Sequence, residues 1–216
     1  MDTEHKTAAD VILPERPACP LNVVLGGTPL LGRLTGIGRY TYELARALDA
    51  SQIIDDLKLW GDLNFLDAGM LKRDDLIGEG PAGLADKKNR GRSGSLAVSV
   101  RSFASRSYYA SMVYQFVSGA MAERRLRPLA DSHLYHSPNF IMPHFDGARV
   151  VTIHDLSTIR FPQFHRKQMV VLCEGGIRSA IEGKVHVITD SFHVRDELVK
   201  DFGVEGSRIS TVHLAP

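Results

Sequence analysis

A histidine followed by an aspartate closes an apolar run, Val150-Val151-Thr152-Ile153-His154-Asp155-Leu156. An imidazole there can accept or donate a hydrogen bond near neutral pH. Residues just past the C-terminal end of a strand face the crevice in which open α/β sheets bind ligands, so His154 is well placed for function. Asp155 is available either to fix the tautomer of His154 or to cap the next turn, and a histidine satisfied by neighbouring backbone is the plain structural alternative. A second constellation is the glycine-rich stretch 26–40, which contains Gly26-Gly27, Gly32 and Thr35-Gly36-Ile37-Gly38-Arg39-Tyr40. Glycines let backbone approach an anion closely, and the free N–H groups of a first helical turn point at it with the positive end of the helix dipole behind them. Phosphate is the natural ligand of such a loop, although a tight turn packing a helix on its sheet uses the same residues. It is not a Walker A loop, because no Gly-Lys-Ser/Thr follows. Thr41 stands where the third glycine of Gly-x-Gly-x-x-Gly belongs, which disfavours a dinucleotide.

Other chemistries find less support. Nine histidines raise the question of a metal. His133 and His136, however, lie an odd number of positions apart on an expected strand, which puts them on opposite faces, and no His-Glu-x-x-His or Cys-x-x-Cys occurs, so no metal site is expected. No Gly-x-Ser-x-Gly elbow is present, which argues against a serine hydrolase. Arg101, Arg106, Arg124, Arg125 and Arg127 lie among Phe103, Tyr108, Tyr109, Tyr114 and Phe116, a mixture that suits an anionic bilayer surface, stacking on a nucleic acid or, most simply, the half-buried face of a helix.

The elements that must position these residues follow from hydrophobic periodicity. Leu21 to Leu25 reads as a buried first strand closed by Gly26-Gly27, and Ile37, Tyr40, Leu44, Ala47 and Leu48 repeat at helical spacing. A second strand is expected over 53–60, a mobile polar insertion over 61–95, and one long or two joined helices over 96–126, ended by Pro128. The second half predicts strands over 133–136, 149–153, 185–189 and 209–214 with helices over 163–182 and 192–202. Asp190 or Ser191 would cap the last helix, and Gly203 would close it. Alternating strands and helices mean a doubly wound, mostly parallel α/β sheet covered on both faces. Residues 1–19 read as a disordered tail and 20–216 as one domain, a length ample for a core. With 26 Lys and Arg against 25 Asp and Glu the formal charge is +1, which gives no global field for nucleic acid, and none is expected as a partner. Cys19 and Cys173 lie far apart in a chain without a signal-peptide pattern, so two reduced thiols in a cytoplasmic protein are expected.

Taken in order, Thr35 to Leu44, Tyr135-His136-Ser137-Pro138-Asn139, Val150 to Leu156, and Val187-Ile188-Thr189-Asp190-Ser191-Phe192 with Arg195 and Leu198 resemble the N-terminal half of a GT-B glycosyltransferase of family 4, of the bacterial mannosyltransferase-like kind. The resemblance spans about residues 21 to 216 and is weakest between 61 and 129. It implies a Rossmann-like acceptor-side domain that faces a separate donor domain across a cleft. It also implies retaining transfer of a hexose, with mannose from GDP-mannose expected, to a glycan or lipid-linked acceptor. Gly36, Ile37, Gly38 and Arg39 would meet the donor diphosphate and His154, with Asp155 beside it, the transferred sugar; Asn139, Ser191 and Arg195 are acceptor-side candidates. No cofactor and no metal are required. The sequence ends at Val212-His213-Leu214-Ala215-Pro216, where the family passes into its hinge, so the C-terminal domain is expected on a separate chain or lost, and the 216 residues alone are expected to be inactive. Residence would be cytoplasmic, with peripheral contact at the inner membrane face. A non-catalytic, glycan-binding or interaction module on the same scaffold is the alternative.

Overall fold

The computed structural model describes residues 21–31, 36–61, 63–67, 69, 71, 108–140, 142–183 and 185–214. The expected tail, most of the expected mobile insertion and the first part of the expected long helix lie outside these residues.

Among the described residues the strands are β1 (Leu21–Gly26), β2 (Ile54–Trp60), β3 (Phe65–Leu66), β4 (Leu134–Ser137), β5 (Arg149–Ile153), β6 (His186–Thr189) and β7 (Ile209–Thr211). They form one sheet in the order β3-β2-β1-β4-β5-β6-β7. All neighbours run parallel except the short edge pair β2 and β3. The α-helices are α1 (Gly36–Ala50), α2 (Tyr108–Leu126), α3 (Ser157–Arg160), α4 (Lys167–Glu182) and α5 (Phe192–Phe202). This is the mostly parallel, Rossmann-like α/β sheet that the alternating pattern predicts.

The strands are apolar because they are covered on both sides. Val23 and Leu25 pack with Leu59 against Tyr42 and Ala45 of α1, whereas Val24, pointing the other way, joins Trp60 and Tyr135 under Ala122 and Leu126 of α2. In the second half Val151, Ile153 and Val187 meet Ile177 and Ala180 of α4 and Val194 and Leu198 of α5. Helix α1 buries Gly38, Thr41, Tyr42 and Ala45, the three-four spacing of one face.

Two local features hold the edge on which His154 sits. Gly176 in α4 lies so close to the backbone of Phe140 that a Cβ there would run into the Phe140 carbonyl, which seats the segment after β4 directly on the helix. At the start of α5 the cap is Ser191, whose hydroxyl accepts the Val194 N–H, and Gly203 at φ 66° ends the helix. With Ser191 as the cap, the neighbouring Asp190 carboxylate is left for another partner.

Four elements differ from the sequence pattern. The helix expected over 163–182 starts at Lys167, because Pro162 opens a separate 3-10 turn (Pro162–Phe164) and His165 and Arg166 are extended. The short helix α3 precedes that turn, and β3 is too short to leave a periodic signal. The last strand stops at Thr211 rather than 214. No described helix is long and apolar enough to cross a membrane.

Candidate active site

The order of strands reverses between β1 and β4: the chain winds outward from β1 to β2, then returns to the other side of β1. Such a switch point opens a crevice at the C-terminal ends of the strands. A cleft of about 350 Å³ lies there, lined by Thr28, Pro29, Trp60, Tyr135, Pro138 and Asn139 among others. One strand further along, His154 follows the end of β5. Its Nδ1 is 2.6 Å from Asp190 Oδ2 and its Nε2 is 3.0 Å from the carbonyl oxygen of Pro138. Pro138 thus lines the cleft and holds the histidine at once.

Asp190 reaches His154 because β5 and β6 run parallel with Ile153 paired to Thr189, so the next residue on each strand stands beside the other. The pair is largely buried, at 15% and 17% side-chain exposure. Carboxylate and carbonyl are both acceptors, so only a ring that donates from both nitrogens satisfies both partners together. His213 adds a bond from Nδ1 to the Asp190 carbonyl at 2.9 Å, tying the segment after β7 to the same corner.

Helix α1 enters through Tyr40, whose ring meets that of His154 edge to face at 4.7 Å. Its hydroxyl is 3.3 Å from Thr152 Oγ1, and Thr152 Oγ1 is 2.9 Å from His136 Nε2. A buried polar chain, Tyr40–Thr152–His136, therefore underlies His154. Burial pushes the Tyr40 phenol up from its ordinary value, with Thr152 opposing and the Asp190 charge adding to the rise, so it is a neutral hydroxyl. Burial, assisted by the nearby His154, lowers His136 to about 4, which keeps it neutral at physiological pH.

The other sequence-named residues divide into two groups. Gly36, Ile37, Gly38 and Arg39 form the first turn of α1 immediately before Tyr40, with Gly38 buried and Arg39 exposed. A Cβ on Gly36 would meet nothing within 4 Å among the described residues, so packing does not demand that glycine. Asn139 follows Pro138 on the cleft, its carbonyl accepting the Ser137 hydroxyl. Ser191 adjoins Asp190. Asp155, by contrast, turns away to accept the Ser157 N–H at 2.8 Å just before α3, and Arg195 lies beside Asp196, one helical turn from the cluster. The spacing did not single out Asp190, Tyr40, Thr152 or His136 for the site. The signal for Asp190 was present, since parallel neighbours in register place the residues after each strand side by side.

The chain resembles a mannosyltransferase. Over 195 residues it is 28% identical to O-antigen chain mannosyltransferase B of Escherichia coli, an alignment covering 90% of this chain and 47% of that protein. The chain thus spans about half the length of that relative. No protein-family model matches it, and no solved structure does.

Proposed function

We propose that this chain is the acceptor-side half of a retaining glycosyltransferase that moves mannose from GDP-mannose to a glycan or lipid-linked acceptor. The observation that carries the reading is the convergence of the α1 glycine turn and His154 on one edge of the sheet, in a chain similar along 90% of its length to a mannosyltransferase. Backbone N–H groups of residues 36 to 38 would stabilise the diphosphate as the sugar leaves, and fixed donors of that kind act where charge develops. The bond from the sugar anomeric carbon to phosphate breaks. The bond to the acceptor oxygen forms on the same face, and the acceptor proton passes to the departing phosphate oxygen. His154, held by Asp190, would donate from Nε2 to a hydroxyl of the transferred sugar, which must share or displace the Pro138 carbonyl to reach it. Donor binding belongs in this reading to a C-terminal domain, in the same polypeptide or a separate chain, and the acceptor brings the enzyme to the inner membrane face of the cytoplasm.

The test measures mannose transfer from labelled GDP-mannose to a lipid-linked glycan primer, for the chain alone and for the chain joined to a donor domain. Transfer is expected only in the joined form, and His154→Ala should slow it about 100-fold or more while leaving the melting temperature in place. Turnover by the chain alone would overturn the half-enzyme assignment. A joined enzyme that transfers no sugar from any nucleotide donor would overturn the glycosyltransferase reading itself.

A further inference from the structure

The short turn between α3 and α4 carries the most exposed large apolar side chain among the described residues. Phe164 is 80% exposed and Phe161, three positions earlier, 54%. The Phe164 N–H bonds to the Phe161 carbonyl at 3.1 Å, so one 3-10 turn brings the two aromatic residues together. The first turns of α4 add Met169 at 46% and Val171 at 69%. Scattered exposed apolar residues need no explanation, but four within eleven positions do.

Along the chain the charges here are one-sided. Residues 156–173 contain Arg160, Arg166, Lys167 and His165 and no aspartate or glutamate, in a chain whose overall formal charge is only +1. Arg160 is consumed by Glu197, at 3.1 Å, and by Asp201 on α5, which fastens the base of the turn to the domain. Arg166 and Lys167 are exposed and form no ion pair among the described residues. The flanking acids are Asp155, whose carboxylate accepts the Ser157 N–H, and Glu174 on α4. Exposed phenylalanines flanked by unpaired cations fit the boundary between anionic headgroups and acyl chains, where rings enter the apolar layer and Lys or Arg meets phosphate.

We propose that the Phe161–Phe164 turn and the adjoining Arg166 and Lys167 dock this protein on an anionic lipid bilayer. The turn follows β5 and His154 in the chain by way of the short helix α3. The proposal supplies a surface for the membrane contact in the function proposed above and rests on that reading only for its purpose. Lipid binding needs no sugar transfer, so either can fail alone.

Co-sedimentation with vesicles tests it on the chain as it stands. Vesicles of phosphatidylglycerol and phosphatidylethanolamine are compared with neutral phosphatidylcholine, at low and at physiological salt. The wild-type chain should partition to the anionic vesicles, and the pair Phe161→Ala with Phe164→Ala should weaken that at least tenfold. Arg166→Gln with Lys167→Gln should weaken it about tenfold or more on anionic vesicles only. All four side chains are exposed, so circular dichroism and melting temperature should not move. Failure of the wild type to bind anionic vesicles at low salt would overturn the proposal. So would binding indifferent to both pairs of substitutions, which would put the lipid contact elsewhere. Self-association or protein capture abolished by the phenylalanine pair, without lipid binding, would equally overturn it and assign the face to a protein partner.

Discussion

His136 is 8% exposed, points at Thr152 and lies close enough to His154 to feel its charge. Its imidazole has an ordinary value of 6.5 and is lowered in the fold to about 4. A folded value below the unfolded one means that the unfolded chain takes up the proton first, so this contribution to stability is complete above pH 6.5 and is lost as the pH falls toward 4. At about 1.4 kcal/mol per unit the full loss is about 3 kcal/mol, and linkage places about 2 kcal/mol of it between pH 7.5 and pH 5. Against a typical stability of about 5–15 kcal/mol that is a large fraction. Urea unfolding of the wild type and of His136→Gln, at pH 7.5, 6 and 5 and constant ionic strength, isolates the effect, because the other titrating groups are common to both. The variant should be less stable at pH 7.5, since a buried ring and its Thr152 bond are altered, yet the wild type should lose about 2 kcal/mol more than the variant on going to pH 5. Parallel pH dependences would refute the argument and mean that burial does not keep this histidine neutral.

Three further outcomes follow from the same geometry. Asp190→Asn replaces an acceptor with an amide that can present a donor to His154 Nδ1, so the ¹⁵N resonances of the imidazole should shift in the 216-residue chain, and transfer by a joined enzyme should fall about tenfold or more in kcat with KM little changed. Unshifted resonances would show that the carboxylate does not hold the ring. Gly36→Ala adds a methyl group into open space, so its melting temperature should stay level or rise slightly, while the joined enzyme's affinity for donor or nucleoside diphosphate drops about tenfold; unchanged affinity would remove that glycine from the phosphate. Gly176→Ala should cost about 2 kcal/mol or more by denaturant titration, because its Cβ would meet the Phe140 carbonyl, and full stability would show that α4 and the segment after β4 are not in such close contact.

Much of the fold was legible because each central strand is buried on both faces and so reads as a short apolar run. Arg149–Ile153 and Phe192–Phe202 stand where the pattern placed them, and the other expected strands shift by a residue or a few at their ends. The losses have local causes. Pro162 delays α4 by spending Gln163 and Phe164 in a 3-10 turn, and β3 at two residues has no period to detect. The order of the strands is a different kind of information. It depends on which crossovers turn back past β1, and nothing local to β4 encodes that it pairs with β1 rather than with β3.

The site shows where residue-by-residue reading runs short. His154 could be picked out because a polar residue ending an apolar strand is conspicuous, and its neighbour Asp155 was the obvious carboxylate by adjacency. Adjacent residues, however, leave a strand's end in different directions, and Asp155 turns to the Ser157 N–H while the carboxylate that meets the ring comes from position 190. Two structural observations together locate it: a parallel β5–β6 pair sets Ile153 against Thr189, and a cap supplied by Ser191 frees the residue between. Tyr40 follows a similar logic. It lies beside the buried face of α1 made by Gly38, Thr41 and Ala45, and from there its hydroxyl crosses to Thr152 on β5. Helical spacing shows that such a residue faces inward, but only the strand order shows which strand it meets. The chemistry of this edge is therefore encoded mainly in register, and Asp190→Asn and His136→Gln probe the two contacts that register creates.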